Sequence, residues 1–315
     1  MTLGDLFASI NDTVLFAEPG GNYGDSLIYA GAQDLARRCG MDFQSVSRKA
    51  FLANQYADCD YIYMHGSGGL TDWGSNAAWD LLGKMVGTPA KHVIVGPQTV
   101  VNKPEFVRKA LHHCLASRKC AKLTFFTREL TSYGLLTSLD LPGVDVHIDE
   151  DTAFHFNYGR SALPAMLSAN RYPLVVVRND LESSAECPDN IPNNAVITDP
   201  VNSAKSFDHW VRIHALSSQV TANRTHSAIF SAIIGKPTTM YGGNYHKNAS
   251  IYEYSLKKRG VAWLDHSQLR SNNLVTPPRI NLQNYPDWIK NSYKANRLAL
   301  FVNESRNYIK GMPVS

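Results

Sequence analysis

Short apolar runs recur along the chain, each followed by a glycine-rich or polar turn and then by apolar positions spaced three and four apart. The first run is Thr13-Val14-Leu15-Phe16-Ala17, and Glu18-Pro19-Gly20-Gly21-Asn22-Tyr23-Gly24 follows it. Asp25 or Ser26 then caps a predicted helix whose inner face is Leu27, Ile28, Ala32, Leu35 and Cys39, closed by Gly40. The unit repeats at Tyr61-Ile62-Tyr63-Met64, Val93-Ile94-Val95 and Leu123-Thr124-Phe125-Phe126, and Val144 to Ile148 reads as a further strand ending at Asp149-Glu150-Asp151. Strands alternating with helices predict a parallel sheet built from βαβ units.

From about Asn157 to Tyr172 the repeat lapses, which predicts a linker. A second series opens at Leu174-Val175-Val176-Val177 and continues through Ala195-Val196-Ile197-Thr198 and a helix near Phe207 to Leu216. Gln219-Val220-Thr221, a helix over Ser227 to Ile234 stopped by Gly235 and Pro237, and Thr238-Thr239-Met240-Tyr241 complete it. The expected organisation is an α/β protein of two Rossmann-like lobes. An N-terminal lobe spans residues 1–160 and a second lobe 161–283, and a helical tail over 284–315 packs back on the first. In open parallel sheets ligands sit at the carboxyl ends of the strands, and the unusual residues of this chain cluster there.

Length and composition change this picture little. With 315 residues, 44% of them hydrophobic and 18% charged, the chain can bury a core in each lobe. A net charge of +4 suits a small anionic substrate and is too weak and scattered for nucleic acid. The longest basic run, Lys257-Lys258-Arg259, reads as a solvated helix end. Cys39, Cys59, Cys114, Cys120 and Cys187 show no C-x-x-C spacing, so reduced thiols are expected. The first residues carry no basic segment leading into an apolar stretch, and no apolar run has membrane-spanning length. A cytoplasmic enzyme is the expectation.

Three residues of the second lobe carry the candidate chemistry. Arg178 follows the Val175-Val176-Val177 strand, and Arg224 and His226 precede the Ser227 to Ile234 helix. A helix N-terminus offers free N–H groups and partial positive charge, and an arginine fork donates two parallel hydrogen bonds to a carboxylate or phosphate. The plain structural alternative makes both arginines ion-paired surface groups and His226 a helix-end residue. In the first lobe the turns Gly20 to Asp25 and Gly66-Ser67-Gly68-Gly69-Leu70-Thr71-Asp72 match neither a dinucleotide fingerprint nor a P-loop. Asp149-Glu150-Asp151 has the form of a metal-binding D-x-D, but without a second acidic cluster it reads better as a strand end; no metal is expected. His112-His113 fits no zinc spacing, and no G-x-S-x-G elbow is present.

Together these segments resemble the polysaccharide pyruvyltransferase family. The resemblance runs from about Asn22 to Leu256 through Asn22-Tyr23-Gly24-Asp25, Gly66 to Asp72, Gly96-Pro97-Gln98, Arg128-Glu129 leading to Ser132, and Asp151-Thr152-Ala153-Phe154. It continues with Val177-Arg178, Asn223-Arg224-Thr225-His226, Gly235-Lys236-Pro237 and Tyr245-His246-Lys247. The chain departs from the family pattern at Ser67, which interrupts a glycine triplet, and at Thr152, where proline is common.

The resemblance implies a fold like that of the two-lobed (GT-B-type) glycosyltransferases and a metal-independent transfer of the enolpyruvyl group of phosphoenolpyruvate onto two sugar hydroxyls. No cofactor is implied beyond phosphoenolpyruvate as co-substrate, and the partner is a polysaccharide or exopolysaccharide precursor, with peripheral contact to a lipid-linked acceptor as one form. Arg178, Arg224 and His226 would be catalytic and would bind the donor together with Asn223 and Lys247, while Asn22, Asp25 and Asp72 are the guesses for the acceptor side. The rival readings are a nucleotide-sugar glycosyltransferase of the same fold and a non-catalytic sugar-binding relative.

Overall fold

The apolar runs are strands buried on both faces, the condition under which a parallel sheet reads as continuous hydrophobic sequence rather than alternation. In the computed structural model, which describes residues 1–73, 77–160, 164–168 and 170–271, they form two parallel sheets. The chain divides into two compact units: Met1–Arg160 with Tyr245–Val261, and Ser161–Asn244 with the chain from Ala262. The segment 245–261 therefore belongs with the first unit, not with the 161–283 lobe expected from sequence. The expected 284–315 helix lies outside the described residues.

The first unit holds strands β1 (Val14–Glu18), β2 (Phe43–Ser47), β3 (Tyr61–Met64), β4 (His92–Gln98), β5 (Lys122–Thr127) and β6 (Val144–Ile148) in the order β2-β1-β3-β4-β5-β6. Successive side chains feed opposite cores. Leu15, Ala17, Ile62, Met64, Val93, Val95, Leu123 and Phe125 pack with Leu81, Leu82, Met85, Leu111 and Leu136 on one face. Val14, Phe16, Tyr63, Ile94 and Phe126 pack with Leu3, Phe7, Ala32 and Leu35 on the other. The helix Tyr23–Arg38 approaches the turn Thr152–His155 through Gly31, where a Cβ would overlap the Thr152 carbonyl oxygen.

The second unit adds β7 (Tyr172–Val176), β8 (Glu186–Pro188), β9 (Val196–Thr198), β10 (Ser217–Ala222), β11 (Thr238–Met240), β12 (Ala262–Trp263) and β13 (Leu269–Ser271). Its main sheet runs β12-β11-β10-β7-β9, all parallel, while β8 and β13 form a separate antiparallel pair. Tyr172, Leu174, Val176, Val220 and Ala222 pack against Ile213 and Leu216.

Both main sheets share one wiring. In each, the first strand in chain order lies between the second and the third, so the chain reverses direction across the sheet beside it. Such a switch point opens a crevice at the carboxyl ends of the two central strands, where ligands of doubly wound sheets bind. It falls between β1 and β3 in the first unit and between β7 and β10 in the second. Among the described residues no helix is long and apolar enough to cross a membrane.

Candidate functional site

The switch point of the second unit carries the residues expected to bind the donor. Val176 on β7 pairs with Ala222 on β10 and Thr198 on β9, so the three strands end level. Arg178 leaves β7, Asp199 leaves β9, and Asn223 and Arg224 leave β10. Asn223, fully buried, accepts the Arg178 backbone N–H through Oδ1 at 2.8 Å and latches the two central strand ends together. Arg224 is the N-cap residue of the helix Thr225–Ile233 and makes no side-chain cap, and His226 stands half-buried in the first turn. The geometry thus joins Arg178, Asn223, Arg224 and the helix start bearing His226 at one sheet edge.

The two arginines share an acidic partner. Asp180 Oδ2 accepts from Arg178 Nη2 at 2.9 Å and from Arg224 Nη2 at 2.9 Å. Arg224 also holds Asp199 with both ends of its fork, Nε to Oδ1 at 2.5 Å and Nη2 to Oδ2 at 2.5 Å. Arg178 Nη1 donates to Glu182 Oε2 at 2.5 Å. Burial alone would push the Asp180 carboxyl up, but hydrogen bonding from Arg178 and the charge of Arg224 outweigh it and hold the group far below the usual carboxylate range. Asp180, Glu182 and Asp199 were missed in the sequence, although Asp199 directly follows an apolar run and could have been found by the same strand-end argument that found Arg178.

Lys247, expected beside these arginines, belongs to the first unit. Its ammonium lies 3.4 Å from where a Cβ on Gly68 would stand, and Arg128 Nη2 lies 3.2 Å from the same point, so two cations line the glycine-rich turn after β3. Arg128 is buried and donates to Asp151 Oδ2 at 2.6 Å and to Thr99 Oγ1 at 2.9 Å. Ser67, the departure from the glycine triplet, bonds Gln98 Oε1 at 2.9 Å and receives the Gly69 N–H at 3.0 Å, fixing the turn onto β4. Nearby, the buried Glu129 caps the helix Leu130–Ser138 and lies 3.6 Å from His246 Nε2. Burial raises its pKa, but His246 and the Ser132 hydroxyl and amide prevail and hold it low.

The acceptor-side guesses are committed locally. Asn22 and Asp25 form a capping box at the helix Tyr23–Arg38, Asn22 Oδ1 accepting the Gly24 N–H at 2.8 Å and Asp25 Oδ2 the Asn22 N–H at 2.7 Å. Asp72 pairs with Lys103 at 2.5 Å. In the D-x-D segment the three carboxylates turn to separate partners: Asp149 to the Leu3 N–H, Glu150 to Lys258 and Arg259, Asp151 to Arg128. Among the described residues no group of three or more His, Cys, Asp or Glu could hold a metal. His112 and His113 lie exposed on the helix Pro104–Leu115, and the five cysteines are free.

The comparisons with known proteins agree with the residue pattern. The family model for polysaccharide pyruvyl transferase matches residues 22–245, a stretch that takes in the β7–β10 switch point. Among curated proteins none matches this chain significantly. A solved structure of an uncharacterised protein from Klebsiella pneumoniae subsp. pneumoniae NTUH-K2044 is similar in fold, with a TM-score of 0.59 at 19% identity over 84% of this chain and 100% of that one.

Proposed function

This chain belongs to the polysaccharide pyruvyl transferase family, and we propose that it moves the enolpyruvyl group of phosphoenolpyruvate onto two hydroxyls of a sugar in a polysaccharide or its precursor. The observation that carries the reading is the meeting of Arg178, Arg224 and an uncapped helix start at the β7–β10 switch point. Phosphoenolpyruvate presents a carboxylate and a phosphate on one carbon, C2. Two guanidinium forks and a helix N-terminus complement that pair of anions.

The chemistry assigns His226 the proton. Protonation of the C3 methylene turns it into a methyl group and leaves an oxocarbenium-like centre at C2. One sugar hydroxyl adds to C2 and releases its proton. A second hydroxyl then displaces phosphate, closing the cyclic ketal and releasing another proton. One of the two released protons replaces the one spent at C3 and the other leaves with phosphate, so the sum is donor plus diol giving ketal plus phosphate. An imidazole can act as a general acid and deliver the first proton, while Arg178 and Arg224 hold the carboxylate and the departing phosphate. On this reading the two sheets are the lobes of the glycosyltransferase-like architecture that the resemblance implies.

The test is incubation with phosphoenolpyruvate and a panel of glycosides, following phosphate release and the mass of the sugar product. Phosphate released together with a sugar gaining one pyruvyl ketal supports the reading. Turnover of a nucleotide sugar instead, dependent on magnesium or manganese, overturns it.

A further inference from the structure

The arginines at the β7–β10 edge are not left as a bare cationic site. Two guanidiniums, Arg178 and Arg224, face three carboxylates, Asp180, Glu182 and Asp199, which already occupy their N–H donors. An anion that takes these donors has to displace a carboxylate already on them, and is repelled by one that stays beside it. One carboxylate has to yield, and the three are not equally placed to do so. Asp199 is 1% exposed, is held by both ends of the Arg224 fork, and caps the helix Pro200–Ser203 through the Val201 N–H. Glu182 is 17% exposed and touches only Arg178 among the two arginines. Asp180 is 43% exposed, and it bridges both guanidiniums through a single oxygen.

We propose that Asp180 is an internal counterion occupying the position of the donor's acidic group, which it vacates by rotating toward solvent when the anion arrives. Its Oδ2 receives one N–H from each arginine at equal distance, as one oxygen of a phosphate or carboxylate would. The exchange replaces one singly charged acceptor by a more highly charged one on the same two donors. Asp180 thereby keeps the guanidiniums paired and oriented while the site is empty, and selects against weakly charged anions that cannot displace it. Displacement taxes every anion's apparent affinity by the population of the open form.

The inference rests on the donor reading above, and the experiment separates the two. Binding of inorganic phosphate and of phosphoenolpyruvate is measured by titration calorimetry on the wild type, Asp180→Asn and Glu182→Gln, with melting curves for each. Asp180→Asn should bind both anions about three- to thirtyfold more tightly, the scale of one partly solvated charge removed from contact with the ligand. Glu182→Gln should gain less. Asp180→Ser, which removes the carboxylate yet leaves an oxygen that can accept, serves as the second variant should Asp180→Asn fold poorly. Tighter phosphate binding in the variants with no phosphoenolpyruvate binding by any form would keep the counterion inference and sink the donor reading. Unchanged or weaker binding of both anions in the Asp180 variants would overturn the inference whatever the turnover.

Discussion

Arg178 and Arg224 bond the same carboxylate oxygen, yet what stands behind each differs, and that difference predicts how their removal affects folding. Removing Arg224 strips the partner from Asp199, which is 1% exposed and cannot turn to water. Breaking a buried pair from one side typically costs about 3–5 kcal/mol. Removing Arg178 leaves Asp180 and Glu182, which are better solvated, and a loss of about 1–2 kcal/mol is expected. Denaturant melts of Arg224→Ala and Arg178→Ala check this, and equal losses would show that Asp199 relaxes to another partner. The order matters for kinetics, because Arg224→Ala has to be assayed where it remains folded. Arg→Lys at either position should restore little donor binding, since an ammonium cannot span two oxygens as the fork does.

Among the elements, close approach is enforced where the chain offers no side chain. The helix Tyr23–Arg38 meets the Thr152–His155 turn at Gly31, and that turn begins at Asp151, the partner of Arg128. Gly31→Ala has to push helix and turn apart, with an expected cost of about 1–3 kcal/mol and a displaced Asp151. Denaturation together with a structure of the variant checks it; wild-type stability would mean the contact yields freely. Most strands were legible because they are buried on two faces, so Tyr61–Met64 could be bounded from its apolar run alone, while the edge strand Val144–Ile148, with no fully buried residue, was bounded by Val144, Val146 and Ile148. Edge strand β2 was not legible, since only Val46 among Phe43–Ser47 is fully buried and the rest looks like loop. Arg178, Asn223 and Arg224 were legible as strand-end residues. Their acidic partners were not weighed, because a charged residue in a polar turn carries no periodic signal. That Lys247 belongs to the first unit was not legible either: after Asn244 the chain returns to that unit, and a local pattern does not say which sheet a following helix joins.

At the scale of the whole molecule, the pH dependence of stability follows from its buried imidazoles. His65 and His214 are fully buried, and removal from water pushes their pKa values down to about 3 and about 4. The unfolded chain takes up protons on these residues near pH 6.5, while the native state refuses them until well below pH 5. Their contribution is therefore complete above pH 6.5 and is lost as the pH falls, by about 1.4 kcal/mol per group for each pH unit. Unfolding free energies at pH 7 and pH 5 should differ by several kcal/mol, with a shallower dependence in His214→Gln. A flat profile over that interval would mean that water reaches both rings.

The central claim is that the donor binds at the β7–β10 edge, and kinetics with varied phosphoenolpyruvate on Arg178→Ala, Arg224→Ala and His226→Ala test it most directly. Loss of one charge-assisted bidentate contact should cost roughly 2–4 kcal/mol, on the order of 30- to 1000-fold in kcat/KM, expressed mainly in the donor KM for the arginines. His226→Ala should instead lower kcat with a smaller change in donor KM, the outcome expected if the imidazole moves a proton in the transition state. If both arginine variants keep near-wild-type kcat/KM for phosphoenolpyruvate, the donor binds elsewhere on the molecule and the account is contradicted.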